Sequence, residues 1–243
     1  MKKQLSILAC AVLLSACGSS SGGSSSNDAA PKASTPKPSV NQETPNKGVQ
    51  NQNTASPFYS LNGKGNIEFK DTNNIHQLTV NGQTIDLANI DGASVNGWKT
   101  EGFDFFVGGK RGSSDISVYT SSPNVTVGIM RSNDVFAFVN GKATDVSQLP
   151  TGVVTYNVKT NSATMSDFGI AHGKITANFA DKTLSGTLTN DIKLNAKIDG
   201  NKFASENGAA TQVKGGFFGE NAKEIGGIYK TNERVGAFAG QAQ

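Results

Sequence analysis

Cysteine is nearly absent: Cys10 and Cys17 are the only two, and both lie at the extreme N-terminus. No disulfide can staple the rest of the chain, so any fold must be held by its own core. Histidine is as scarce, with only His76 and His172, and no carboxylates cluster at ligand spacing, so a structural zinc site is not expected. No Gly-x-Ser-x-Gly elbow and no phosphate-binding loop occurs, and nothing else points to an enzyme. Beyond the N-terminus there is no apolar run long enough to cross a bilayer as a helix.

What is present begins at the N-terminus. Lys2 and Lys3 precede an apolar run from Leu5 to Leu14, of signal-peptide length. It ends in Leu14-Ser15-Ala16-Cys17, which resembles the bacterial lipobox. Residues 1–16 are therefore expected to be cleaved as a lipoprotein signal peptide, leaving Cys17 acylated. Loss of Lys2 and Lys3 takes the formal charge from +3 to about +1, which removes any broad footprint for nucleic acid. Gly18, where an Asp would favour inner-membrane retention, points to an outer-membrane anchor. The lipid would be the sole anchor.

Residues 17–57 hold Ser, Gly, Asn, Pro, Thr and Lys with almost no large apolar side chain. Such a segment buries too little surface to offset its ordering entropy and reads as a disordered tether. A Gly/Ser-type chain of that length has a mean reach of roughly 35 Å.

From residue 58 the pattern is alternation and turns, with no helical period. Val154, Tyr156 and Val158; Ile175, Ala177 and Phe179; Leu184, Gly186 and Leu188; and Ile192, Leu194, Ala196 and Ile198 each alternate with polar residues. Asp181-Lys182, Asn190-Asp191 and Asp199-Gly200-Asn201 supply turns between them. Further strands are expected around Phe203, Val213–Phe218, Ile225–Tyr229 and Val235–Ala239. That makes about eight short antiparallel strands, enough to close a barrel filled by its own side chains. The outward faces read as Lys and Asn, hence as a barrel for water and not for lipid. The fold class is all-β. A β-rich, sandwich-like handle domain is placed at 58–150 and an eight-stranded barrel at 151–243. In the first half, Val80-Asn81-Gly82 and Val139-Asn140-Gly141 open two similar runs that read as two Asn-Gly hairpins.

Two segments carry a family resemblance. Asn178-Phe179-Ala180-Asp181-Lys182-Thr183-Leu184-Ser185-Gly186-Thr187-Leu188 resembles a hairpin of the transferrin-binding protein B barrel. So does Gly215-Gly216-Phe217-Phe218-Gly219-Glu220-Asn221-Ala222-Lys223-Glu224-Ile225-Gly226-Gly227, followed by Val235-Gly236-Ala237-Phe238. The related run has Pro at the place of Glu220 and Glu at that of Lys223, changes the turn tolerates. Phe217 and Phe218 should face opposite sides of their strand, one into the barrel. The resemblance implies a surface lipoprotein like hemophilin or factor H-binding protein, exported with the surface lipoprotein assembly modulator. It implies binding of a host-derived nutrient, haem or an iron carrier protein. The alternative is an adhesin or immune-evasion module that binds a host protein, such as a complement regulator, or a glycan.

If haem is the ligand, its iron needs an imidazole beside an apolar slot. His76 is the candidate, since it lies in the first domain near Leu78 and Val80; the other reading is a half-buried core histidine. Trp98, Phe103 and Phe106 would wall the macrocycle, or else supply core, and Lys110 or Arg111 would meet a propionate. His172 reads as a surface histidine at the start of a barrel strand.

Limited proteolysis should cut within 18–57 and leave a stable core starting near Pro57. A helix-rich circular dichroism spectrum of that core would contradict the all-β assignment.

Overall fold

A computed structural model describes residues 58–63, 69–70, 74–80, 83–107, 110–188 and 191–243. The signal peptide and tether expected at 1–57 lie outside the described residues. What is described is β-structure joined by turns and three single-turn 3₁₀ segments, in agreement with the all-β expectation.

The second half is a closed eight-stranded antiparallel barrel. Numbered along the whole chain, its strands are β10 (Val153–Ala163), β11 (Phe168–Asn178), β12 (Thr183–Leu188) and β13 (Ile192–Asp199). They continue with β14 (Lys202–Ala204), β15 (Gln212–Phe218), β16 (Glu224–Lys230) and β17 (Val235–Ala242). Each strand pairs with the next, and β17 returns to β10 through Tyr156↔Ala242 to Ala163↔Val235, which closes the barrel. The alternating apolar residues meet inside: Tyr156, Ile175, Leu194, Phe203, Phe217 and Phe238 belong to one buried cluster. Phe217 is its hub, with ring centroids of Phe179, Phe203 and Tyr156 at 4.7, 5.5 and 6.1 Å. The Tyr156 phenol donates to the Ala222 carbonyl at 2.8 Å, and burial pushes its pKa upward.

The first half is a six-stranded sheet in the order β1-β9-β8-β7-β6-β5. Its members are β1 (Phe58–Ser60), β5 (Ala93–Val95), β6 (Trp98–Val107), β7 (Lys110–Tyr119), β8 (Val125–Arg131) and β9 (Val135–Gly141). A second, three-stranded sheet holds β2 (Phe69–Lys70), β3 (Gln77–Val80) and β4 (Gln83–Asp86). Leu78 of β3 and Leu87, just after β4, pack with Ile116, Val118, Met130, Phe136 and Phe138 on one face of the larger sheet. The opposite face of the larger sheet packs on the barrel. Trp98, Val125, Val127, Ile129, Val135, Ala137 and Val139 form one cluster with Phe218, Ile228, Val235, Ala237 and Ala239 on the barrel's outer wall.

This packing corrects the expectation of a uniformly polar barrel exterior. Lys193, Asn195 and Lys197 on β13 are exposed as expected, but the outer wall of β16 and β17 is apolar because the handle sheet covers it. Phe217 points into the barrel and Phe218 into the handle–barrel seam. Gly226 makes the seam close: a Cβ there would stand 2.5 Å from Val125 Cγ2. Glu224, only 3% exposed, accepts from the Asn124 amide and side chain at 3.1 and 2.8 Å, which pairs its buried carboxylate across the seam.

The two Asn-Gly hairpins also divide. β3 and β4 do form a tight hairpin, closing at Val80↔Gln83. Asn140-Gly141 is not a turn, because β9 runs through it and Asn140 pairs with Thr126. There Gly141 serves close approach: a Cβ would stand 2.6 Å from the Asn124 carbonyl oxygen and from the Phe218 ring.

Phe217→Ala should lower unfolding free energy by about 3–5 kcal/mol in urea titration. Gly226→Ala should cost about 1–3 kcal/mol through overpacking, whereas Gly152→Ala should be near neutral, because a Cβ at Gly152 meets nothing within 4 Å.

Candidate functional site: the turn end of the handle and barrel

Strand direction gathers several turns at one end. The β8–β9 turn (Ser132–Asp134), the β10–β11 turn (Thr164–Asp167) and the β16–β17 turn (Thr231–Arg234) lie together. The β6–β7 hairpin projects toward the same end. Its strands pair from Trp98↔Tyr119 out to Val107↔Lys110, but β8 supports β7 only over Asp115–Tyr119 and β5 supports β6 only over Trp98–Thr100. Its outer half is therefore a two-stranded arm.

Charge-assisted contacts tie these turns together. Arg131 donates to Asp115 Oδ2 through Nε at 3.2 Å and Nη2 at 2.6 Å. Its guanidinium carbon lies 4.5 Å from the ring centroid of Phe168, the first residue after the β10–β11 turn. Arg234 Nη1 donates to Ser162 Oγ at 2.8 Å. The β10–β11 turn is built by Thr164, whose Oγ1 accepts from the Ser166 and Asp167 amides at 3.1 and 3.2 Å and donates to the Asp167 carboxylate. That hydrogen bond is the main cause that lowers the Asp167 pKa, with smaller help from Arg234 and Arg131. Met165 at the turn tip is 46% exposed. The end thus carries an exposed thioether beside Arg131, held between Asp115 and Phe168, and Arg234, held by Ser162.

β1 is fastened beside these turns. Asp134 accepts from Ser60 Oγ at 2.6 Å, from the Asn62 amide at 3.0 Å and from Val135 N at 2.7 Å. Lys230 Nζ donates to the Ser60 carbonyl at 2.6 Å. β1 pairs antiparallel with β9, Phe58↔Phe138 to Ser60↔Phe136, so the chain enters β1 running toward the turn end.

The residues expected to form a haem pocket do not share one wall. His76 precedes β3, half-buried, with Nδ1 3.0 Å from Thr126 Oγ1. Its amide bonds Asn74 Oδ1 at 2.9 Å and its carbonyl accepts from Leu87 N at 2.7 Å. Thr126 alternates with Val125 and Val127, which face the barrel, so His76 lies over the opposite face of the handle sheet. Trp98 is fully buried on the barrel side, its ring 5.7 Å from that of Tyr119. The sheet itself therefore separates Trp98 from His76. Phe103, Phe106, Lys110 and Arg111 occupy arm positions opposite Ser114, Arg111, Val107 and Phe106 in turn, and their side chains lie outside the described residues. His172 is exposed on β11, opposite Lys159 of β10. Among the described residues, no group of three or more His, Cys, Asp or Glu could hold a metal ion.

Arg131, Met165, Phe168 and Arg234 were not singled out from the sequence. Each flanks or occupies a short turn, but nothing local marks those turns as neighbours.

Comparison with known proteins places this architecture. Residues 133–242 match the family model described as the C-lobe and N-lobe β-barrels of Tf-binding protein B. Intact Ap-TbpB, with its N and C lobes, superposes with a TM-score of 0.53 at 18% identity, over 72% of this chain and 43% of that one. A tryptophan-to-alanine variant of transferrin binding protein B from Haemophilus parasuis gives 0.54 at 20% identity, over 77% and 44%. An uncharacterized protein of Haemophilus influenzae is 34% identical over 128 residues, 45% of this chain and 43% of its own length. The chain therefore spans less than half the length of these relatives.

Thr164→Val should let the Asp167 carboxyl titrate higher, toward the ordinary carboxylate range. The folded-state pKa of Asp167 is depressed, so its stabilising contribution is present at neutral pH and is lost as pH falls through that lowered value. Side-chain carboxyl titration by NMR in the two proteins checks the direction.

Proposed function

We propose that this chain, whose residues 133–242 belong to the family of transferrin-binding protein B β-barrels, is a non-enzymatic surface lipoprotein that binds a host iron-carrier protein through its turn end. The observation that carries the reading is the convergence of the β6–β7 arm with the Met165, Arg131 and Arg234 turns at one end of the fold. Exposed methionine beside arginine suits a protein partner, since thioethers adapt to an irregular apolar surface and guanidinium groups pair with carboxylates. The relatives named for transferrin binding share this fold, which supports the ligand class. In this reading acylated Cys17 anchors the chain in the outer membrane and surface lipoprotein export machinery delivers it.

The full chain in detergent should enrich an iron-carrier protein from host serum, and Met165→Asp with Arg131→Glu should lose it. Capture of a complement regulator or a glycan instead would favour adhesion or immune evasion, and no enrichment would remove a host-protein ligand.

One observation favours haem as a second ligand class. The Thr126 hydroxyl holds His76 Nδ1, which leaves Nε2 as the nitrogen able to meet iron, the arrangement by which ligating histidines are commonly oriented. Haemin titration should then give a Soret shift that His76→Ala abolishes and His172→Ala does not. A wild-type chain without any spectral change would exclude haem.

A further inference from the structure

The barrel wall is not of even height. β10 and β11 pair over eleven residues, from Val153↔Asn178 to Ala163↔Phe168. β12 pairs with β11 only from Gly173↔Leu188 to Asn178↔Thr183. β10 is covered on its other side by β17 up to Ala163↔Val235, so at this corner the step leaves β11 uncovered and not β10. Among the described residues no strand pairs with the outer edge of Phe168–Ala171, and all four are only partly buried. Such an edge presents every second amide and carbonyl to an incoming strand.

A groove of about 670 Å³ lies at that step, where β12 ends. Lys159, His172, Lys174, Thr187 and Asp191 line it. Lys159 and Lys174 are exposed, and Asp191 is the one carboxylate in the lining. Lys159 Nζ lies 5.6 Å from the Tyr119 ring centroid, which places it at the handle side of the groove. Phe168 and Ile170 pack against the seam cluster on the outer face of the same strand, and Gly169 and Ala171 alternate with them. A strand added here would continue the line of β12, backbone on the open edge and one end in the cationic groove.

We propose that this step is a second binding site, adjoining the turn end at Phe168 but taking a different ligand, an extended acidic polypeptide segment, by strand addition to Phe168–Ala171. The main-chain ladder supplies the affinity, and Lys159 and Lys174 select the sign of the charge. A second copy of the chain is disfavoured as occupant, because its matching edge carries the same cations.

The test titrates the full chain in detergent with fluorescent peptides of roughly eight residues, the length that spans a strand and its groove. A peptide alternating valine and glutamate should bind, and its valine–lysine counterpart should not. K159E with K174E should weaken binding by about tenfold or more. A glutamate peptide carrying proline at alternate positions, which cannot donate to a ladder, should fail to bind. Amide hydrogen exchange at 168–171 should slow on adding the binding peptide. Equal binding by the lysine or proline peptide, an unchanged affinity in the charge-reversed variant, or no binding by any peptide would overturn the proposal. Each of these variants leaves Met165 and Arg131 intact, so failure here is separate from failure at the turn end.

Discussion

The seam between the handle sheet and the outer wall of β16 and β17 is the constraint on which the rest depends. A barrel needs one apolar face per strand; β16 and β17 have two. Ile225 and Phe238 fill the interior, while Ile228, Val235, Ala237 and Ala239 face the handle. Those strands can be soluble only under a cover, and the six-stranded sheet supplies it. The fit also fixes small residues at contact points, as at Gly226 against Val125. Two polar pairs cross the seam: Glu224 with Asn124, and Asn161 Nδ2 with Ser117 Oγ at 2.8 Å.

From that docking follows the placement of the turn end. Because the handle is held in one orientation, the β8–β9 turn stands beside the β10–β11 and β16–β17 turns, and Arg131 reaches Phe168. Because β10 is paired by β17 along its whole upper length while β12 is short, β11 is left with an open stretch. The first feature belongs to neither the barrel nor the handle alone, while the second is set by the unequal lengths of the barrel's own strands. The barrel interior is filled by its own apolar side chains, Tyr156, Phe203, Phe217 and Phe238 among them.

Much of the barrel was legible in the sequence for a simple reason. Alternation has a period of two residues, and Ile192, Leu194, Ala196 and Ile198 show it without interruption. The turns were equally local: Lys182, Asp191 and Gly200 all take positive φ at the places where Asp-Lys, Asn-Asp and Asp-Gly occur. The handle was less legible because β8 and β9 are buried on both faces, and a continuous run such as Val135-Phe136-Ala137-Phe138-Val139 does not say which face meets what. Asn140-Gly141 misled for a related reason, since the dipeptide that suits a hairpin also suits a strand that another backbone approaches closely. The candidate pocket failed as a single unit because Trp98 and His76 were judged by nearness in sequence, and a sheet lies between them.

The sequence by itself determined what is written in neighbouring residues: the alternating strands, most of the barrel turns and the scarcity of metal-ligating side chains. Only the tertiary structure decided which apolar face covers which, that Phe218 leaves the barrel to enter the seam, and that Arg131, Phe168 and Arg234 share one end. The physical reason is that hydrophobic burial is non-directional. It marks a residue for the interior without naming its partner, and the partner is chosen only when closed sheets and docked faces leave a single way to exclude water.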